Sequence, residues 1–120
     1  DSKTSENRTS PAIARQYLKG KGYRILEENW RYRRAEVDLI AMDGRTLVFV
    51  EVKTRNTTAF GAIEDFVTQK KEDLLTAAAH AYMEEIDHNW EVRFDIIAVL
   101  YLNDQSYSIK HLEDAFFPGI

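Results

Sequence analysis

Apolar residues recur along this chain at two different periods, and the changes from one to the other mark out the elements. After Ser10-Pro11, residues Ile13, Ala14, Tyr17 and Leu18 fall on one helical stripe. Ser10 is placed as N-cap, Pro11 at the first helical position, and Gly20 or Gly22 at the C-terminal end. Tyr23 to Trp30 reads as a strand whose imperfect alternation suits a sheet edge. From Ala35 to Arg55 two apolar runs, Val37 to Met42 and Thr46 to Val52, flank Asp43-Gly44, which predicts a β-hairpin closed by a two-residue type I′ turn. That register sets Met42 opposite Arg45, Leu39 opposite Val48 and Glu36 opposite Glu51. Asn56 to Ala62 is a polar loop containing Gly61. From Ile63 to Ile86, Phe66, Val67, Leu74, Leu75, Ala78, Ala79, Tyr82, Met83 and Ile86 recur at three- and four-residue steps and predict a long helix.

Trp90 to Leu102 is almost continuously apolar, the pattern of a central strand buried on both faces and parallel to a neighbour. Asn103-Asp104 then forms a turn, Tyr107 to Lys110 a returning arm, and His111 to Phe117 a short terminal helix. Residues 1–9 show no periodicity and read as a disordered tail ahead of a single domain over 10–120. The order of elements predicts an α/β fold, a mixed sheet flanked by helices.

Composition narrows the class. With 120 residues and 44% apolar content, one domain with its own core is expected. The absence of cysteine excludes disulfides and thiolate metal sites. There is no apolar run near transmembrane length and no signal-peptide pattern over Asp1 to Pro11, so the expectation is a soluble, cytoplasmic protein with no membrane partner. The net charge of −4 conceals an asymmetry: residues 1–55 hold 12 Lys/Arg against 8 Asp/Glu, and residues 56–120 hold 4 against 12. A basic half is one sign of a polyanion partner, and solvated surfaces share it.

The charges of the hairpin bear most directly on function. Side chains alternate along a strand, so Glu36, Asp38, Glu51 and Lys53 project from one side, next to Ile40, Leu47 and Phe49. The same four residues also suit the solvent face of a half-exposed hairpin, with Lys53 neutralising one acid. Their apolar neighbours argue instead for the rim of a buried face. Carboxylates crowded there are relieved by a divalent cation, and Mg2+ or Mn2+ takes oxygen ligands with the shell completed by water. Asp38, Glu51 and the Val52 backbone carbonyl are the candidate ligands, Glu36 a candidate auxiliary ligand, and Lys53 the group that orients water and stabilises the transition state. Arg31, Arg33, Arg34, Arg55, Gln69 and Lys71 are candidate phosphate contacts; a solvated turn or helix face explains several of them equally well. His80, His88 and His111 lack metal-ligand spacing, and Asp95 in its apolar strand reads as structural, pairing with Arg93 or the sheet edge.

V-D-L-I-A followed by F-V-E-V-K-T-R resembles the YraN family of uncharacterised bacterial proteins and, beyond it, the PD-(D/E)XK restriction-endonuclease-like nucleases, archaeal Holliday junction resolvases included. The resemblance extends through Tyr17-Leu18, Gly22 to Leu26, Asn29-Trp30, Phe60-Gly61, Lys71 and Arg93-Phe94-Asp95. It implies an α-β-β-β-α-β core, with Asp38 as the first acid of the motif, Glu51 and Lys53 as its E-x-K, and Glu36 as the acid before Asp38. It further implies a Mg2+- or Mn2+-dependent endonuclease acting on DNA, branched or junction DNA included, and a symmetric homodimer suits cutting of two strands. Two positions depart from the family pattern. Ala35 stands in place of a usual glycine, and Ser10-Pro11 in place of a Gly-Glu pair that supplies a helical acid to related sites. Two other classes therefore stay open: a nucleic-acid-binding accessory with the fold but little or no cleavage, and a structural domain that uses its acidic face for protein contact.

Overall fold

A computed structural model describes residues 9–56 and 68–115. Helix α1 (Ser10–Gly20) leads into strands β1 (Arg24–Tyr32), β2 (Ala35–Asp43) and β3 (Thr46–Asn56), then helix α2 (Gln69–Glu85) and strands β4 (Val92–Asn103) and β5 (Ser106–Leu112). The strands form one mixed sheet in the order β1-β2-β3-β4-β5. Only β3 and β4 run parallel, with Val50 beside Asp95 and Lys53 beside Ala98. The α/β architecture expected from the periodicities is present, including the apolar run of β4 as an interior strand. Among the described residues no helix is long and apolar enough to cross a membrane.

The two faces of the sheet carry separate cores. Ile40, Met42, Leu47, Phe49 and Phe94 meet Leu75, Ala78, Ala79 and Tyr82 of α2. Leu39, Ala41, Val48, Val50 and Ile97 meet Ala14 and Leu18 of α1. Ala78 and Ala79 are fully buried, the close approach of helix to sheet that their small side chains permit.

Several local expectations change. The cap of α1 is Thr9, whose hydroxyl accepts from the Ala12 N–H, so Thr9 belongs to the fold and not to the tail; Ser10 bonds instead to the Thr54 hydroxyl of β3. Strand β1 reaches Tyr32, two residues further than its alternation suggests. The hairpin turn is Gly44-Arg45, because Asp43 pairs with Thr46, Met42 with Leu47 and Leu39 with Val50. Asp43 is drawn into the strand by an ion pair with Arg93 at 3.1 Å, and only Gly44 of the two turn residues takes positive φ, so the I′ geometry is not formed. Helix α2 begins at Gln69 after an N-cap at Thr68; Ile63, Phe66, Val67 and most of the polar loop from Asn56 lie outside the described residues. The expected helix from His111 is replaced by the end of β5 and a turn at Glu113-Asp114, while Phe116 and Phe117 lie outside the described residues.

That last change has a definite cause. Asp95, fully buried, accepts from Arg93 Nε and Nη2 (2.9 and 3.0 Å), the Asp114 N–H (3.0 Å) and His111 Nε2 (2.7 Å). His111 is thereby held in the sheet opposite Ile97. Arg93 also donates to the Tyr23 hydroxyl, tying the end of α1 to β4. Burial works to raise the Asp95 pKa, but the His111 and Arg93 hydrogen bonds outweigh it and hold the carboxyl below its ordinary value. A carboxyl depressed in the fold contributes stability that is present above its unfolded pKa and lost as pH falls through the folded one. Asp95→Ala is therefore expected to lower the unfolding free energy by about 3–5 kcal/mol at pH 7, since it leaves Arg93 and His111 without their acceptor. Urea titrations at pH 7 and pH 3 check this, the difference from wild type narrowing at the lower pH.

Candidate metal centre

The site lies where the sheet comes apart. The β2–β3 ladder ends at Leu39 and Val50. On the other side, the β1–β2 ladder runs through Glu28–Leu39 and Trp30–Val37 but skips the pair between them, where Asn29 has φ of 52°. Asp38 thus sits at a break in both ladders. Its Oδ2 accepts the Val52 N–H at 2.7 Å, satisfying a backbone donor that β2 no longer reaches.

One residue before Val52, Glu51 is turned toward α2. Its side chain is only 5% exposed and its Oε2 takes two ammonium groups, Lys71 Nζ at 2.7 Å and Lys53 Nζ at 3.1 Å. The other oxygen, Oε1, is buried with no hydrogen-bond partner. Lys71 stands in the first turn of α2, where the Thr68 hydroxyl accepts its N–H at 3.2 Å and fixes its backbone. Burial pushes the Asp38 carboxyl up to about 6; the Val52 N–H works against this, and the neighbouring Glu51 charge adds to it.

Asp38, the Val52 peptide, Glu51, Lys53 and Lys71 therefore come together. Glu36 is half-exposed and faces Arg31 at 3.6 Å, while still adding to the negative potential at Asp38. Arg34 shares a groove with Glu36, Asp38 and Lys71. Arg31 is largely exposed, and Arg33, at positive φ in the β1–β2 turn, lays its guanidinium over the Tyr32 ring. Arg55 donates to its neighbour's carbonyl at Thr54, and Gln69 to Asp73. The register differs by two residues from the expected one, which leaves Leu39 to Met42 and Leu47 to Val50 on their expected faces, but alternation breaks at Asp38, so that Val37 packs with Ile40 on the α2 face and Leu39 on the other.

The pairing of Lys71 with Glu51 was not legible in the sequence, since 20 residues separate the two and no local pattern links them. Nor was the role of His111, whose partner Asp95 lies one strand away.

A hard cation fits the donor set. Two carboxylates, one with an orphaned buried oxygen, stand where the β2–β3 ladder ends. Among the described residues no group of three or more His, Cys, Asp or Glu converges, so a cation here relies on water and backbone oxygen for the rest of its shell, as Mg2+ commonly does.

Comparison with known proteins places the chain among uncharacterised relatives. The model of Uncharacterised protein family UPF0102 matches residues 12–99, a span that includes α1, the hairpin, α2 and most of β4. A UPF0102 protein of Christiangramia forsetii is 50% identical over 105 residues, covering 88% of this chain and 87% of its own. One from Flavobacterium psychrophilum is 47% identical over 102 residues, 85% of each chain. Another from Chlorobium limicola is 43% identical over 119 residues, 94% of this chain and 92% of its own.

The raised pKa of Asp38 has a measurable sign. A carboxyl that holds its proton more tightly in the fold makes stability fall as pH rises from 3.8 to about 6. Asp38→Asn keeps an acceptor for the Val52 N–H and removes the buried charge. It is expected to be more stable than wild type at pH 8, by about 1–3 kcal/mol, with no such advantage at pH 3.5. Asp38→Ala, which strands the Val52 N–H, is expected to be less stable than Asp38→Asn at both. Thermal melts at the two pH values check the order.

Proposed function

The chain belongs to the uncharacterised protein family UPF0102, and from that premise we propose that it is a Mg2+- or Mn2+-dependent endonuclease that hydrolyses phosphodiester bonds of DNA, with branched or junction DNA as its substrate class. The observation that carries this reading is the Asp38–Glu51 pair at the parting of β2 and β3, with Glu51 Oε1 buried and unbonded. Such an arrangement costs stability unless something compensates it, and a perturbed carboxyl lining a groove, as Asp38 does, is a mark of chemistry. The α-β-β-β-α-β order around it agrees with the nuclease fold that the sequence resembles.

Asp38, Glu51 and the Val52 carbonyl hold the cation. When bound, the ion lowers the pKa of its water and shields charge on the phosphate. Lys53, whose ammonium is tethered to Glu51, orients the attacking water and donates to the phosphate oxygen that gains charge. Asp38 links β2 to β3 through its bond from the Val52 N–H and lines the groove, while Glu51 lies buried behind it against Lys53 and Lys71. Arg34 and Arg31 at its mouth supply phosphate contacts that position the strand. A symmetric dimer would let two such sites address two strands.

One observation favours the accessory reading, in which the protein binds DNA and cuts little or not at all. Where the nucleases bring a helical acid toward the site, Ser10 bonds to Thr54 at the far end of β3 and Pro11 follows. A single experiment separates the two. Linear, nicked, flapped and four-way DNA are incubated with Mg2+ or Mn2+ and wild type, Asp38→Ala or Lys53→Ala. Cleavage is expected from wild type, greatest on a branched substrate, and reduced by about 100-fold or more in each variant. Equal cleavage by all three proteins overturns the assignment; binding without cleavage by wild type establishes the accessory.

A further inference from the structure

We propose that Lys71 is an exchangeable counterion: it neutralises Glu51 until a divalent cation is taken up, then turns away from the ion toward Arg34 in the groove that both line, where the two receive a phosphate of the nucleic-acid strand. The inference rests on the metal-dependent reading above and adds to it a coupling between cation and substrate.

Three features of the site lead there. Glu51 Oε2 is shared by two ammonium groups, so one carboxylate charge faces two lysines in a nearly dry setting. A cation that takes Glu51 as ligand competes with both for the same charge, and repels both at short range. The two lysines are not equally free to respond. Lys53 is built into β3, which continues its parallel ladder through Lys53–Ala98 and on to Asn56. Its side chain is 22% exposed. Lys71 stands in the first turn of α2, is 35% exposed, and reaches Glu51 from across the interface between helix and sheet.

Lys71 also has a place to go. It lines a groove of about 260 Å3 together with Arg34, Glu36, Asp38 and apolar residues of β2 and α2. With Asp38 engaged by the cation, the two cationic side chains Arg34 and Lys71 suit the oxygens of a phosphate. While Lys71 is paired with Glu51, Arg34 faces two acids, Glu36 and Asp38; release of Lys71 together with neutralisation of Asp38 by the cation leaves two cations against Glu36 alone, and the groove attracts an anion. Cation and nucleic acid then bind cooperatively, each favouring the arrangement that the other requires.

The test uses the whole chain and Mn2+ alone, followed by calorimetry, with circular dichroism to confirm folding. Lys71→Met and Lys71→Gln, in which Glu51 keeps Lys53 as partner, are expected to bind Mn2+ about tenfold more tightly than wild type. Lys71→Arg, which retains the competing charge, is expected to match wild type. In a second measurement, a labelled single-stranded oligonucleotide is titrated with and without Ca2+. The ion is expected to strengthen binding by wild type and to have little effect in Lys71→Met. If wild type binds Mn2+ and both neutral variants bind it no more tightly, the exchange is overturned while the nuclease reading stands. An equal Ca2+ effect on oligonucleotide binding in wild type and Lys71→Met overturns the phosphate half of the proposal. If no form binds Mn2+, the metal reading falls and the exchange falls with it.

Discussion

The hydrogen bond from the Val52 N–H to Asp38 Oδ2 is the constraint on which the site depends. A backbone donor buried at the end of a ladder must find an acceptor or the strands must stay together. Here β2 and β3 separate after Leu39 and Val50, and a side chain supplies what the departing strand no longer does. Two consequences follow from that one substitution of acceptor. β2 stays joined to β3 beyond the last ladder pair, with Asp38 still lining a groove beside α2, and a carboxylate is held against the peptide that follows Glu51. Asp38 cannot be released from this role without leaving a buried donor unpaired, so its position is set by the backbone and not by the charges around it.

Each face of the sheet contains a buried ionic cluster, and the contrast between the two says what each is for. On the α1 face, both oxygens of Asp95 are fully engaged by Arg93, His111 and the Asp114 N–H, and its pKa is held down. Such a group is satisfied and inert; it joins α1, β4 and the end of β5. On the α2 face, Glu51 places both its lysines on one oxygen and none on the other, and Asp38 is pushed up to about 6. Similar residues in a sheet of one chain thus produce a staple on one side and an incompletely satisfied pair on the other. An incomplete pair is costly to keep unless it has a use.

The hairpin shows why the site was readable when some of the fold was not. An error of two residues in register cannot disturb a period of two, and Glu36 and Asp38 still line one groove with Lys71, which meets Glu51 and Lys53, although alternation itself breaks at Asp38. The turn itself was misplaced because Asp43-Gly44 is a strong local signal, overridden by Arg93 fifty residues away. The same competition decides the C-terminal segment: His111 to Phe117 has a helical look locally, and the bond from His111 to buried Asp95 keeps its first residues in β5. Thr9 displaced Ser10 as the cap of α1 by the margin of one residue to which local signals are blind. Periodicity is a local property and survived; ion pairs between distant residues are not local and could not be read.

Charge balance links the geometry to the proposed chemistry. Asp38 and Glu51 with Lys53 and Lys71 form a group whose formal charges cancel when both acids are ionised, and Glu36 is separately faced by Arg31. A neutral group gives little attraction to a phosphodiester, which brings one negative charge and acquires a second when the attacking water adds to phosphorus as hydroxide, its proton having passed to bulk solvent. Uptake of one divalent cation changes the sum to +2, matching the charge of that transition state and exceeding that of the ground state. Stabilisation that grows along the reaction coordinate is what accelerates a reaction, since equal attraction for substrate and transition state leaves the barrier unchanged. On this argument the two lysines at Glu51 do more than hold a buried acid in the fold: they set the group to zero charge, so that the cation alone determines when it attracts a phosphate.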